Sequence, residues 1–109
     1  MVPADLMDEF ASEVRARGSA YRSAGMVRVL AHSADVIRAT VKGSDTYGVK
    51  LQRTSQDILR LSCTCPFFYD RGPCKHLWAT VLQAADQGIL ANMPPAARIE
   101  PTLISRSNW

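Results

Sequence analysis

No stretch of 18 apolar residues occurs anywhere in the 109 residues, which excludes a membrane-spanning helix. The first ten positions include Asp5, Asp8 and Glu9, acids foreign to a secretory leader or an organellar transit segment. Neither a G-x-x-x-x-G-K-[ST] phosphate loop nor a D-E-x-H acidic box is present, so the sequence offers no machinery for hydrolysing ATP. Aromatic residues make up only 7 %, which leaves few rings for stacking on bases. Cysteine is limited to three residues. Three cannot all pair within one chain, and neighbours at C-x-C spacing rarely close a relaxed bridge, so a disulfide framework is disfavoured. Free thiols imply a reducing compartment, most simply the cytoplasm.

What is present fits one small soluble domain followed by a tail. Apolar residues at 47 % and charged residues at 21 % are ordinary for a globular chain. We read residues 1–92 as the folded unit and 93–109, which opens on Pro94-Pro95, as a linker or flexible tail. The net charge of +3 is modest, but its distribution is uneven. Between Arg15 and Arg60 nine Lys/Arg stand against three acids.

The three cysteines fall with one histidine in the order Cys63-x-Cys65, eight residues, Cys74-x-His76. Three thiols and an imidazole make a complete tetrahedral ligand set for one zinc ion. Four protein ligands close the coordination sphere, whereas a catalytic zinc needs an open position, so no enzymatic role and no small-molecule substrate are expected. Residues two apart on a strand share a face, and Leu59, Leu61, Cys63 and Cys65 have one parity. Pro66 then ends the ladder, having no N–H to donate. Cys74 precedes a helical run, where free amides and the dipole favour a thiolate. Two other readings of these residues are buried structural cysteines, which four ligands within 14 positions make unattractive, and a Cys74/His76 nucleophilic pair, which lacks an orienting third group.

The pattern elsewhere is α+β. Residues 4–17 repeat Leu6, Met7, Phe10, Ala11 and Val14 at helical spacing, and Gly18 reads as the stop before a loop over 18–25. Four strands follow, over about 26–32, 35–42, 46–53 and 57–63, separated by turn clusters, which predicts a small antiparallel sheet. Val27, Val29, Ile37, Ala39, Val41, Tyr47, Val49, Leu51, Leu59 and Leu61 form its apolar face. Leu30, Val36 and Ile58 break the alternation. A last helix spans about 76–87 with Gly88 as its cap and Leu77, Trp78, Val81, Leu82 and Ala85 on its buried side. His32 is isolated and reads as an exposed or satisfied strand-end residue.

The opposite sheet face carries Arg28, Arg38, Lys42, Lys50 and Arg60. Two readings stand for it: a solvated face that guards the sheet, or a phosphate-contacting platform to which Lys75 would add. Between the ligand pairs lie Phe67, Phe68, Tyr69 and Arg71. The rings either cover the metal and helix or, where exposed, offer a contact surface to a partner.

The segment resembles the SWIM zinc finger, a module found in bacterial SWI2/SNF2-type ATPases, plant MuDR-type transposases and the kinase MEKK. The match rests on Ser62-Cys63-Thr64-Cys65-Pro66 and Gly72-Pro73-Cys74-Lys75-His76. It extends more loosely upstream through Arg17-Gly18, Tyr21, Gly25, Val27, Ala39-x-Val41-x-Gly43-Ser44 and Tyr47-x-Val49, as in the bacterial members. The resemblance implies a zinc-held ββα core ending in the last helix, with Cys63, Cys65, Cys74 and His76 as ligands. It also implies a role in binding DNA or a protein such as an SNF2-type ATPase. A protein-only adaptor using the aromatic segment and the last helix is the alternative.

Overall fold

The computed structural model describes residues 2–104 and Trp109; Met1 and residues 105–108 lie outside the described part. Two helices, α1 (Ala4–Met7) and α2 (Ser12–Ser23), precede four strands, β1 (Val27–His32), β2 (Val36–Lys42), β3 (Thr46–Arg53) and β4 (Ile58–Cys63). Helices α3 (Pro66–Arg71) and α4 (Lys75–Asp86), a 3-10 turn at Leu90–Asn92 and β5 (Arg98–Pro101) complete the chain. The strands lie in the order β1-β2-β3-β4-β5.

The four expected strands form an antiparallel meander with the expected inward parity. Ile37, Ala39, Val41, Val49, Leu51 and Leu61 are completely buried. The register between β1 and β2 slips between Val29 and Ala31, so Leu30 bulges outward and remains exposed. That bulge accounts for one of the three residues that broke the alternation.

The sheet is larger than the sequence suggested. β5 adds a fifth strand parallel to β4, making the sheet mixed, and it comes from the stretch read as a tail. The Thr102 N–H donates to the Leu61 carbonyl (2.8 Å) and the Ala97 N–H to the Asp57 carbonyl (3.0 Å). A four-residue strand bounded by prolines has almost no pattern of its own. It forms because the free edge of β4 supplies the partners that its backbone needs.

The N-terminal helix is also divided differently. Ala11 is extended, which separates the single turn of α1 from α2, and Leu6, Phe10 and Val14 are all buried. α2 then runs straight through Gly18. Its stop is Gly25, in the left-handed region at φ 74°, with the Met26 N–H donating to the Tyr21 carbonyl and the Gly25 N–H to the Arg22 carbonyl. The same closure ends α4 at Gly88, with the Ile89 N–H donating to the Ala84 carbonyl.

α4 packs against the inner face of the sheet, and α2 packs on α4. This position buries more of α4 than a single stripe. Ala79, Thr80 and Ala84 are buried beside Leu77, Trp78 and Val81, whereas Leu82 and Ala85, expected inside, are half-exposed. Phe10 stacks on Trp78 at 5.1 Å between ring centroids, tying the N-terminal segment to α4.

Candidate metal centre

β4 delivers Cys63 to the inner face as the next residue in the row of Leu59 and Leu61. Cys65, two residues on, caps the start of α3, where Pro66 occupies the first helical turn with the fixed φ that position favours. Cys74 caps α4, and His76 lies in the first turn of that helix. The segment between the pairs is therefore a short helix, and two of the three thiols sit at helix starts rather than Cys74 alone.

The four ligand atoms lie within 4.8 Å of one another. His76 Nδ1 is 3.9 Å from both Cys63 Sγ and Cys74 Sγ. A tetrahedral zinc, with bonds of about 2.3 Å to sulfur and about 2.0 Å to nitrogen, holds its ligands roughly 3.5–3.8 Å apart. The donor set therefore fits zinc in both chemistry and spacing. All four residues are buried, His76 the most exposed of them at 4 %.

The imidazole is held by rings on both sides. Tyr47 lies 4.6 Å and Tyr21 5.3 Å from it, centroid to centroid. With Nδ1 facing the sulfurs and available to ligate a metal, Nε2 points away from them and has no hydrogen-bond partner among the described residues. It faces Gly43: a Cβ built there would stand 3.4 Å from Nε2 and 3.2 Å from the Tyr21 hydroxyl. Neither tyrosine was recognisable as a neighbour of the site from sequence. Tyr47 merely continues the inward parity of β3, and Tyr21 lay in the stretch read as a loop.

Without a cation among them, the three thiols cannot all ionise. Hydrogen bonds from Cys63 and Cys74 hold the Cys65 thiol far below the ordinary range. Cys63 is pushed far up by its bond to Cys65, then by Cys74 and burial. Cys74 is drawn down by its bond to Cys63, but its bond to Cys65 and its burial outweigh this and push it up to about 12. One thiolate and two thiols are thus poised for a metal that requires three thiolates.

The other candidate residues fall in two regions. Arg28, Arg38, Lys42, Lys50 and Arg60 occupy the outward parity of the sheet; Arg28 and Lys42 are exposed and the rest half-buried. Trp109 also lies on this face, its ring against Gly48 and 5.1 Å from the Arg38 guanidinium carbon. Lys75 lies apart from the outer sheet face, with Nζ 5.2 Å from the Tyr21 ring. On α3, Phe68 turns into the core, while Phe67, Tyr69 and Arg71 are exposed.

A buried three-thiol, one-imidazole cluster joining a strand end to two helix starts defines a zinc-finger protein that takes one zinc ion. Residues 40–85, which include all four ligands, match the family model described as the SWIM zinc finger, and the chain carries that finger. No curated protein and no solved structure matches the chain. No helix among the described residues is long and apolar enough to cross a membrane.

Proposed function

We propose that the chain is a non-catalytic interaction module that binds DNA, a DNA-acting ATPase of the SNF2 type, or both, in the cytoplasm. The metal's role is structural. Four buried protein ligands leave no position for a reacting water, so zinc holds β4, α3 and α4 together. The observation that carries the partner reading is charge left uncompensated. Arg22, Arg53 and Arg98 are each paired with an acid, to Asp86, Asp57 and Glu100. Among the described residues none of Arg28, Arg38, Lys42, Lys50, Arg60 and Lys75 has an ion pair. Unpaired cations of this density supply the sequence-independent attraction that a phosphate backbone needs.

A salt titration of the zinc-loaded protein against labelled duplex and single-stranded DNA tests the reading. Binding that weakens steeply with salt supports nucleic acid as a direct partner. Affinity for an SNF2-type ATPase core that barely changes with salt, without DNA affinity, favours the second reading, a protein-only adaptor. The exposed rings of Phe67 and Tyr69, beside Arg71, support that alternative. Absence of binding to either partner overturns the proposal.

A further inference from the structure

A cleft of about 670 Å³ opens between the C-terminal half of α2 and the β2–β3 turn. Three cations, Arg17, Lys42 and Lys75, line it together with Tyr21, Met26 and Gly43, and no carboxylate does. Among the described residues none of the three cations has an ion pair. They come from three separate elements: α2, the end of β2 and the start of α4. Their convergence is therefore a product of the fold rather than of a charge run in the sequence.

Two further observations give the cleft the character of a ligand site. The Lys75 ammonium lies 5.2 Å from the centroid of the Tyr21 ring, which holds a flexible cation beside the cleft. Behind Gly43 lies His76 Nε2, a buried nitrogen with no hydrogen-bond partner among the described residues. Gly43 packs directly on this pair, since a Cβ there would stand within 3.4 Å of both Nε2 and the Tyr21 hydroxyl, so the wall of the cleft keeps its shape only with glycine at this position. Cations thus gather around a floor that is mostly apolar, in which Met26 is 38 % exposed. A phosphate group satisfies the cations, and a flat base covers the Tyr21 and Met26 floor.

We propose that this cleft binds one nucleotide unit of a single-stranded nucleic acid, its phosphate at Arg17, Lys42 and Lys75 and its base over Tyr21 and Met26. The proposal rests on the nucleic-acid reading above and gives it a location. A duplex presents its phosphates with the bases stacked away, so it cannot use the floor. The outer sheet face is a poorer platform, because Trp109 lies over Gly48 with the Arg38 guanidinium against its ring.

The test uses zinc-loaded protein and 5′-labelled oligothymidylate, with a duplex of equal length and free thymidine monophosphate as comparison probes. A triple variant, Arg17→Ala with Lys42→Ala and Lys75→Ala, is expected to weaken strand binding at least ~10-fold and to flatten the salt slope by about 0.7, the value for the one phosphate that the cleft holds. Lys75 lies between two ligands, so Arg17→Glu with Lys42→Glu provides an independent arm that leaves the metal segment untouched. Met26→Glu is expected to weaken strand binding several-fold with zinc content unchanged. Replacing Arg38, Lys50 and Arg60 together by Ala is expected to leave strand affinity within about twofold. If the strand binds and only this outer-face variant loses it, the cleft assignment is overturned while the nucleic-acid reading stands. Tighter binding of the duplex, or failure of the free monophosphate at millimolar concentration to compete with the strand, also overturns the assignment. If no nucleic acid binds the unmodified protein, the underlying reading fails along with it.

Discussion

Gly18 on α2 and Trp78 on α4 are in direct contact, with room for no side chain between them: a Cβ built on Gly18 would stand 2.7 Å from Trp78 Cδ1 and 2.8 Å from the Lys75 carbonyl oxygen. Trp78 lies two residues after the ligand His76, and Lys75 immediately precedes it. The two helices are therefore in tight contact at the start of the metal-binding helix. In an exposed helix, Gly→Ala is stabilising by about 1 kcal/mol. Here the overlap with a backbone carbonyl outweighs that gain, and Gly18→Ala is expected to destabilise the zinc-loaded fold by about 1–3 kcal/mol. For a domain of this size that lowers Tm by several degrees, on the order of 4–8 °C per kcal/mol. An unchanged or raised Tm would show that α2 and α4 can separate without cost.

Removing a ligand should have a larger effect. Cys74 caps α4 while Cys63 ends β4, so the metal ties the start of the helix to the end of the strand in addition to their packing in the core. One zinc per chain is expected by elemental analysis. Cys74→Ser should lose most of it and much of the folded state, because zinc binding is coupled to folding free energy. A protein that keeps its cooperative unfolding transition in chelator would contradict this.

Metal loading should also release protons. Cys63 and Cys74 are held protonated above neutral pH, whereas Cys65 is already ionised. Zinc requires all three as thiolates, so binding displaces about two protons from the folded cluster and about three from a chain that has unfolded without metal. Acid therefore opposes loading and alkali favours it, and the apparent affinity should rise about 100- to 1000-fold per pH unit near neutrality. Calorimetric titrations in buffers of different ionisation enthalpy count the protons directly. A count near zero would mean that the thiols are ionised before the metal arrives.

The features readable from the sequence were those with local, periodic causes. Ile37, Ala39 and Val41 against Arg38 and Thr40 declare a half-buried strand, and the four ligands declare their cluster by spacing alone. The misread features depend on tertiary partners. Gly18 carries the same local signal as a helix-ending glycine, and only the Trp78 ring opposite it reveals that the helix continues. β5 is specified by the open edge of β4 rather than by its own four residues. Trp109, in the stretch read as a tail, donates from Nε1 to the Val49 carbonyl (2.9 Å), a contact 60 positions away that no local pattern announces. The Tyr21 and Tyr47 rings that flank His76 were invisible for the same reason.

Helix α3 provides a final test, because its three consecutive aromatics have been separated by helical geometry. Phe68 points inward and is 2 % exposed, whereas Phe67 and Tyr69 are 40 % and 46 % exposed. Successive residues of a helix project about 100° apart, so one buried ring necessarily turns its two neighbours toward solvent. Phe68 packs in the core with Cys65 and Cys74, and Phe68→Ala should cost about 3–5 kcal/mol and loosen the metal site. Phe67→Ala removes a ring that is 40 % exposed and should change stability far less than Phe68→Ala, by about 1 kcal/mol or less, with zinc content nearly unchanged. The Tyr69 hydroxyl donates to the Ile104 carbonyl, so Tyr69→Phe separates that tether from the ring itself. α3 is anchored by zinc ligands at both ends, which limits the entropy lost when its exposed rings are captured by another protein. If the adaptor reading is right, Phe67→Ala weakens protein binding while the fold and the metal survive. A variant that loses zinc or melts markedly earlier would instead place Phe67 among the residues that hold the finger together.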